Sequence, residues 1–221
     1  MSSAAILAAG LAVVCGLGVR LILPRLAEPA VTGPDAPAKA PYAQLADPPM
    51  VIVCTVLGAL GGYALGHFLP PALWPAWMAW LSLGLLLVAI DARTTWLPLS
   101  LTRVLWALTA ASVPLVGVLD GWQTAVRMLL AALAVGAFFG LFWWLRPAAL
   151  GFGDVRLAPV LGAVCGTISV TAVFTGLLIG TGLGAVFGLG RHLLHRRGEF
   201  AYGPVLWAGS VALIPLFPLF G

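Results

Sequence analysis

Charge is what this sequence has least of. Aspartate, glutamate, lysine and arginine together make up 8% of its 221 residues, against about 25% in a soluble domain. Hydrophobic residues make up 62% and the mean hydropathy is +1.08. So little polar surface cannot cover a water-soluble core, which excludes an ordinary soluble enzyme or binding module. Cysteine is scarce too. Cys15, Cys54 and Cys165 are odd in number, far apart and inside hydrophobic runs, which argues for buried packing residues over a disulfide framework or a zinc site. The sequence also lacks HExxH, GxSxG and Walker-loop patterns, so those routes to metal, serine and phosphate chemistry have no motif to carry them. The net charge of +4 does not point to nucleic acid, because the bases lie at the ends of hydrophobic runs and do not cluster with aromatics.

What is present in quantity is apolar length. A helical span of a bilayer needs about 20 such residues, and the runs here lack the two-residue alternation of a barrel strand. The expectation is an all-α polytopic membrane protein, a single membrane domain over 1–221 with eight transmembrane helices. They are expected at Ala4 to Leu23, Met50 to Leu69, Leu73 to Ile90, Leu99 to Leu119, Thr124 to Leu145, Val155 to Thr167, Ser169 to Gly190 and Pro204 to Phe220, the sixth and seventh dividing near Gly166-Thr167. Met1 to Leu23 has no basic stretch before its apolar run, so it is expected to stay as the first span. Ala27 to Pro49 carries Pro29, Pro34, Pro37, Pro41, Pro48 and Pro49 and is expected to be a cytoplasmic linker unable to pack into a core.

Orientation follows from Lys and Arg, which loops held in the cytoplasm retain. With both termini outside, Arg20, Arg25, Lys39, Arg93, Arg103, Arg146, Arg156, Arg191, Arg196 and Arg197 fall on the inner side and Arg127 alone on the outer. Trp74, Trp77 and Trp122 then form an outer aromatic belt, and Trp96, Trp143 and Trp144 an inner one. Glycine stripes at Gly58, Gly62 and Gly66, and at Gly176, Gly180, Gly184 and Gly188, suit close helix packing within the chain, with a homodimer as the minor alternative. His67 is isolated, and His192 and His195 are expected to be basic interfacial anchors.

Two acids stand out against this background. Asp91 ends the apolar run Trp80 to Ile90, and Asp154 follows two glycines, Gly151 and Gly153, on the same expected membrane face. An acid beside a spanning helix is a functional hypothesis by default. The glycines are expected to let the backbone turn tightly and approach a substrate. Two carboxyls about 3 Å apart cannot both ionise, so they share a proton and can act as base and acid on a peptide bond without metal or cofactor. The competing reading is a pair of helix-end residues facing water or paired to Arg93 and Arg156.

The surroundings of both acids carry a more specific signal. The segment Asp91-Ala-Arg-Thr-Thr-Trp-Leu-Pro98 resembles the first catalytic segment of the type IV prepilin peptidases. Gly151-Phe-Gly-Asp154-Val-Arg156 is similar to their GxGD segment, and Phe200-Ala-Tyr-Gly203-Pro204 to the entry of their last helix. The three occur in the family's order and span the chain from about residue 50 onward. Leu99 and Arg156 depart from the usual polar residue and lysine. The resemblance implies an aspartyl endopeptidase of the bacterial cytoplasmic membrane, with Asp91 and Asp154 as the dyad. It would cut the short basic leader of prepilins or pseudopilins after a glycine, at the cytoplasmic face. It implies no cofactor. The cysteine-paired insertion of bifunctional members is replaced by the proline-alanine linker, so neither N-methylation nor S-adenosylmethionine binding is expected. Implied partners are the prepilin substrate and the bilayer. The alternative is a small transporter or pilus-assembly scaffold using Asp91 and Asp154 as proton or cation ligands.

Overall fold

The computed structural model describes residues 2–28, 40–147, 150–194 and 201–220. Among them every regular element is helical. The chain runs through α1 (Ser3–Ile22), α2 (Pro48–Phe68), α3 (Pro71–Thr94), α4 (Leu99–Leu119), α5 (Trp122–Leu145), α6 (Phe152–Ile168), α7 (Val170–Leu193) and α8 (Gly203–Val211). Six of these, all but α6 and α8, are long and apolar enough to cross a membrane. The protein is therefore a multi-pass membrane protein, and of the eight spans expected, six meet that length and apolarity among the described residues. The shortfall has a physical cause. α6 has 17 residues, about 25 Å of helix, and every residue from Val160 to Ile168 is buried, so protein rather than lipid surrounds it. α8 has nine residues and is followed by turns and a short 3-10 segment, Phe217–Leu219.

Capping and turn chemistry set most boundaries. Ser2 accepts from the Ala5 N–H at 3.3 Å to start α1, and Asp47 accepts from the Met50 N–H at 2.8 Å to start α2. Thr95, at φ 56°, ends α3 in the left-handed conformation and donates its N–H to the Asp91 carbonyl. α6 and α7 divide at Ser169, whose hydroxyl caps α7 through the Ala172 N–H at 3.0 Å, slightly beyond the expected Gly166-Thr167.

α3 is the most buried of the long helices and packs against α2, α4 and α8. It is not uniform: Trp80–Gly84 forms a π turn between the α-helical stretches Trp74–Ala79 and Leu85–Thr94. Gly84 is required there, since a Cβ would lie 2.6 Å from the Trp80 ring. The Trp80 indole donates to Ser210 at 2.8 Å, and the Trp207 indole donates to the Trp80 carbonyl at 3.2 Å. These bonds join α3 to α8.

Both glycine stripes are used inside the chain. A Cβ on Gly58 would lie 2.8 Å from the Cys15 sulfur, and one on Gly66 2.6 Å from the Ala4 Cα, so α1 and α2 pack backbone to backbone. Gly180 faces the α8 backbone and Gly184 the Tyr202 ring, while Gly188 faces open space. The three cysteines are free and buried. Two expectations need correcting. Trp77 is fully buried and its indole donates to Thr167 at 3.0 Å, so it is a core residue and not part of an interfacial belt. The end of the Ala27 to Pro49 stretch does pack: Tyr42 and Leu45 are buried, and the Tyr42 N–H donates to Glu28 at 2.7 Å. Residues 29–39 of that stretch, with Lys39, lie outside the described residues, as do His195, Arg196, Arg197 and Phe200.

Arg127, the single arginine expected on the outer side, has a structural task. Its guanidinium donates to the carbonyls of Gly166 at 2.6 Å and Thr167 at 2.8 Å. It thereby caps the C-terminal end of α6, where carbonyls lack intrahelical partners. Arg127→Met should lower stability by about 1–3 kcal/mol, read as a reduced thermal midpoint of the detergent-solubilised protein.

Candidate active site

Asp91 sits in the last turn of α3 and Asp154 in the first turn of α6. Both are buried, at 5% and 6% exposure, so they are not water-facing helix ends. They line one cavity of about 840 Å³, within range of each other's charge. Thr95, Trp96, Gly151, Gly153 and Tyr202 line it as well, and Phe138, Phe139 and Phe142 of α5 form an aromatic wall.

The arginines next in sequence point elsewhere. Arg93 bonds Asp47 at 2.6 Å, which ties the start of α2 to the end of α3. The Arg156 guanidinium lies 4.7 Å over the Phe152 ring, and its carbonyl accepts from the Trp106 indole at 2.8 Å. The bond to Arg93 holds the Asp47 carboxyl below its ordinary value, helped by the Met50 N–H. Its stabilising contribution is then complete above the usual carboxylate range and disappears as pH falls through the lowered value.

Gly203 opens α8 and donates its N–H to Asp91 Oδ2 at 3.2 Å. A Cβ there would lie 2.8 Å from that oxygen. Pro204 follows at the helix start, where a missing N–H costs nothing. The two glycines before Asp154 act through space and not through unusual backbone: Gly151 has φ −67° and Gly153 is helical. A Cβ on Gly151 would come within 3.3 Å of Asp154 Oδ2, and one on Gly153 within 2.7 Å of the Leu97 side chain. The expected tight turn is thus replaced by close packing between the α3–α4 connection and α6. Pro98 does not line the cavity; it is the N-terminal cap of α4, its carbonyl accepting from both the Thr102 N–H and hydroxyl.

Sequence reasoning missed the aromatic wall and Tyr202. Tyr202 is held against Gly184, and burial followed by the charge of Asp154 pushes its phenol up. Its place immediately before Gly203 was the available signal. The α5 phenylalanines gave none, because a lipid-facing run contains the same residues.

Residues 77–189, a little over half of the chain, match the model of the type IV leader peptidase family. The chain belongs to that family. It is similar to the type 4 prepilin-like proteins leader peptide-processing enzyme of Escherichia coli O78:H11 (strain H10407 / ETEC), with 31% identity over 176 residues. That alignment covers 71% of this chain and 60% of the length of that enzyme. No solved structure matches the chain. The family match contains Asp91, Pro98, Gly151, Gly153, Asp154 and Arg156, whereas Gly203 and Pro204 lie beyond it.

Two outcomes are expected. Wild type should have a higher thermal midpoint than Arg93→Gln at neutral pH, and the difference should close in acid below about pH 4. Gly203→Ala should displace the Asp91 carboxyl from the N–H that opens α8 and lower the thermal midpoint of the detergent-solubilised protein, by about 1–3 kcal/mol of stability.

Proposed function

We propose that this chain is an aspartyl endopeptidase that removes the short basic leader of prepilins or pseudopilins. The cut would fall after a glycine, at the cytoplasmic face of a bacterial inner membrane. The observation that carries the reading is the pair of buried carboxyls, Asp91 and Asp154, brought to one cavity from helices 63 positions apart in sequence. Family membership and the name of the similar enzyme support leader peptides as the substrate class.

The chemistry follows from proximity and burial. Two acids in one poorly solvated site share a proton. The ionised one takes a proton from water, which attacks the scissile carbonyl carbon; the protonated one hydrogen-bonds the carbonyl oxygen as negative charge develops. Collapse of the tetrahedral intermediate breaks the C–N bond, and the amine leaves with a proton from the dyad. The Gly203 N–H fixes Asp91 for this work, and the narrow fit at Gly151 and Gly153 fixes Asp154. Expulsion of bulk water by the aromatic wall strengthens each of these interactions. We assign the peptidase step alone, because the stretch between α1 and α2 contains no cysteine from which the paired insertion of bifunctional enzymes could be built.

The test compares wild type, Asp91→Asn and Asp154→Asn at equal membrane levels, with leader removal from a co-expressed prepilin read as a gel shift. Each asparagine keeps the shape but cannot exchange the proton, and should reduce cleavage by at least about 100-fold. Full cleavage by either variant would overturn the dyad. Lack of cleavage by wild type across prepilins with basic leaders would move weight to a proton- or cation-linked transporter or scaffold.

A further inference from the structure

Apart from its two carboxyls, the cavity of Asp91 and Asp154 is walled by side chains of unequal use to a bound peptide. Phe138, Phe139 and Phe142 offer no hydrogen-bonding atom. The hydroxyls of Thr95 and Thr181 donate to backbone carbonyls close by in sequence, Thr94 at 2.6 Å and Leu177 at 2.7 Å. The Trp96 indole and the Tyr202 phenol are the other side-chain donors in the lining, and Tyr202 is the one whose ring a second helix holds. Its backbone caps α8, the carbonyl accepting from the Leu206 N–H at 3.2 Å. The next N–H, of Gly203, binds Asp91 Oδ2. Its ring lies against α7 at Gly184, where a Cβ would come within 2.5 Å of Cε2 and 3.4 Å of Cζ, the carbon that bears the hydroxyl. Thr181, three residues earlier and so on the same face of α7, also lines the cavity. Gly184 thus differs from its neighbours in the glycine stripe. Gly180 packs on the α8 backbone and Gly188 meets nothing within 4 Å, whereas Gly184 makes room for one side chain.

We propose that Tyr202 is a substrate-binding residue of this cavity, its phenol held by Gly184 and hydrogen-bonded to the backbone of the peptide beside the scissile bond. The inference rests on the peptidase reading of Asp91 and Asp154 and adds a group that touches the substrate. A peptide drawn into the cavity leaves water behind, and each of its N–H and C=O groups costs free energy there unless it gains a partner. The aromatic wall of α5 supplies none, so the partner has to come from another side. Tyr202 precedes the N–H that binds Asp91 and lies within range of the charge of Asp154. A peptide whose bond lies at the two carboxyls therefore runs past the phenol. A phenol both donates and accepts, so it pairs with either an N–H or a carbonyl of that peptide. With two side-chain rotations, both limited by the contact at Gly184, it loses little freedom when the bond forms.

The test measures KM and kcat in nanodiscs for a synthetic peptide made of a basic leader, its glycine and the residues that follow. Tyr202→Phe keeps the ring and the backbone and removes only the hydroxyl. KM should rise about tenfold, with kcat and its pH profile unchanged, because a bond made equally in the bound and transition states acts on binding alone. Gly184→Ala, which displaces the ring, should raise KM to a similar degree. Adding Tyr202→Phe to Gly184→Ala should raise it no further, and Gly188→Ala should match wild type. Unchanged KM in Tyr202→Phe would overturn the proposal. So would a shifted pH profile, which would make Tyr202 a support of the carboxyls and not a contact of the peptide. If Gly184→Ala fails to fold, Tyr202→Phe decides alone. A second readout separates this claim from the peptidase reading: binding of the same peptide, fluorescently labelled, to Asp154→Asn with and without Tyr202→Phe. About tenfold weaker binding without the phenol would support the contact even where wild type cuts nothing, a result that would count against the peptidase reading alone. Equal binding, or none, would overturn the contact.

Discussion

A carboxyl placed inside an apolar bundle loses its hydration, and something fixed in the fold has to replace it. Here helix N-termini do so. Asp154 occupies the first turn of α6, and Asp91 accepts the N–H of the residue that opens α8, so each acid lies where backbone N–H groups have no intrahelical acceptor and the helix dipole is positive. That arrangement explains why α6 and α8 begin where they do. It also explains why the connection between α3 and α4 must hug α6: the Leu97 side chain fills the place that a Cβ on Gly153 would need. Three helices far apart in sequence are thereby held by the electrostatic needs of two side chains.

The other end of α6 completes the picture. A short helix enclosed by protein cannot leave its terminal carbonyls to water, and Arg127 supplies donors to two of them while Trp77 donates to Thr167. α6 is therefore pinned from α5 and α3 at its far end and from α4 and the α3–α4 connection at its near end. A helix fixed at both ends holds the Asp154 carboxyl in a set position relative to Asp91.

Much of this was legible in the sequence, and the reasons differ by feature. Long apolar runs mark spans because a bilayer imposes a minimum length, and α4 was placed to the residue by that rule alone. Asp91 and Asp154 were legible because an acid in such surroundings needs an explanation. Gly203 and Pro204 were found only through resemblance; their contact with Asp91 is a tertiary one, 112 residues apart. Burial against protein was not legible where lipid offers the same apolar surroundings. Trp77 in the core and Trp122 on the surface have the same side chain. Phe139 in the cavity of Asp91 and Asp154 and the exposed Phe174 are equally silent. For the same reason nothing in the apolar run of α6 showed that protein would enclose it from Val160 to Ile168.

The π turn at Trp80–Gly84 has a bearing on all of this through angular phase. A π turn is an α-helix with one residue inserted, and one residue corresponds to about 100° of rotation. Everything in α3 beyond Gly84 is therefore turned by about that angle relative to an uninterrupted helix carrying the same residues. Trp77, upstream of the insertion, faces Thr167 at the distal end of α6, while Asp91, downstream, shares a cavity with Asp154 at the proximal end. An uninterrupted helix would set these two side chains, 14 residues apart, about 40° apart around the axis, whereas the π turn sets them roughly 140° apart, so α3 meets the two ends of α6 with different faces. Removing one residue between Trp80 and Gly84 would leave a regular helix with both flanks in their present phase, whereas straightening the helix with every residue kept would swing the Asp91 carboxyl about 100° away from Asp154, so the defect acts as the indexing device that aims Asp91.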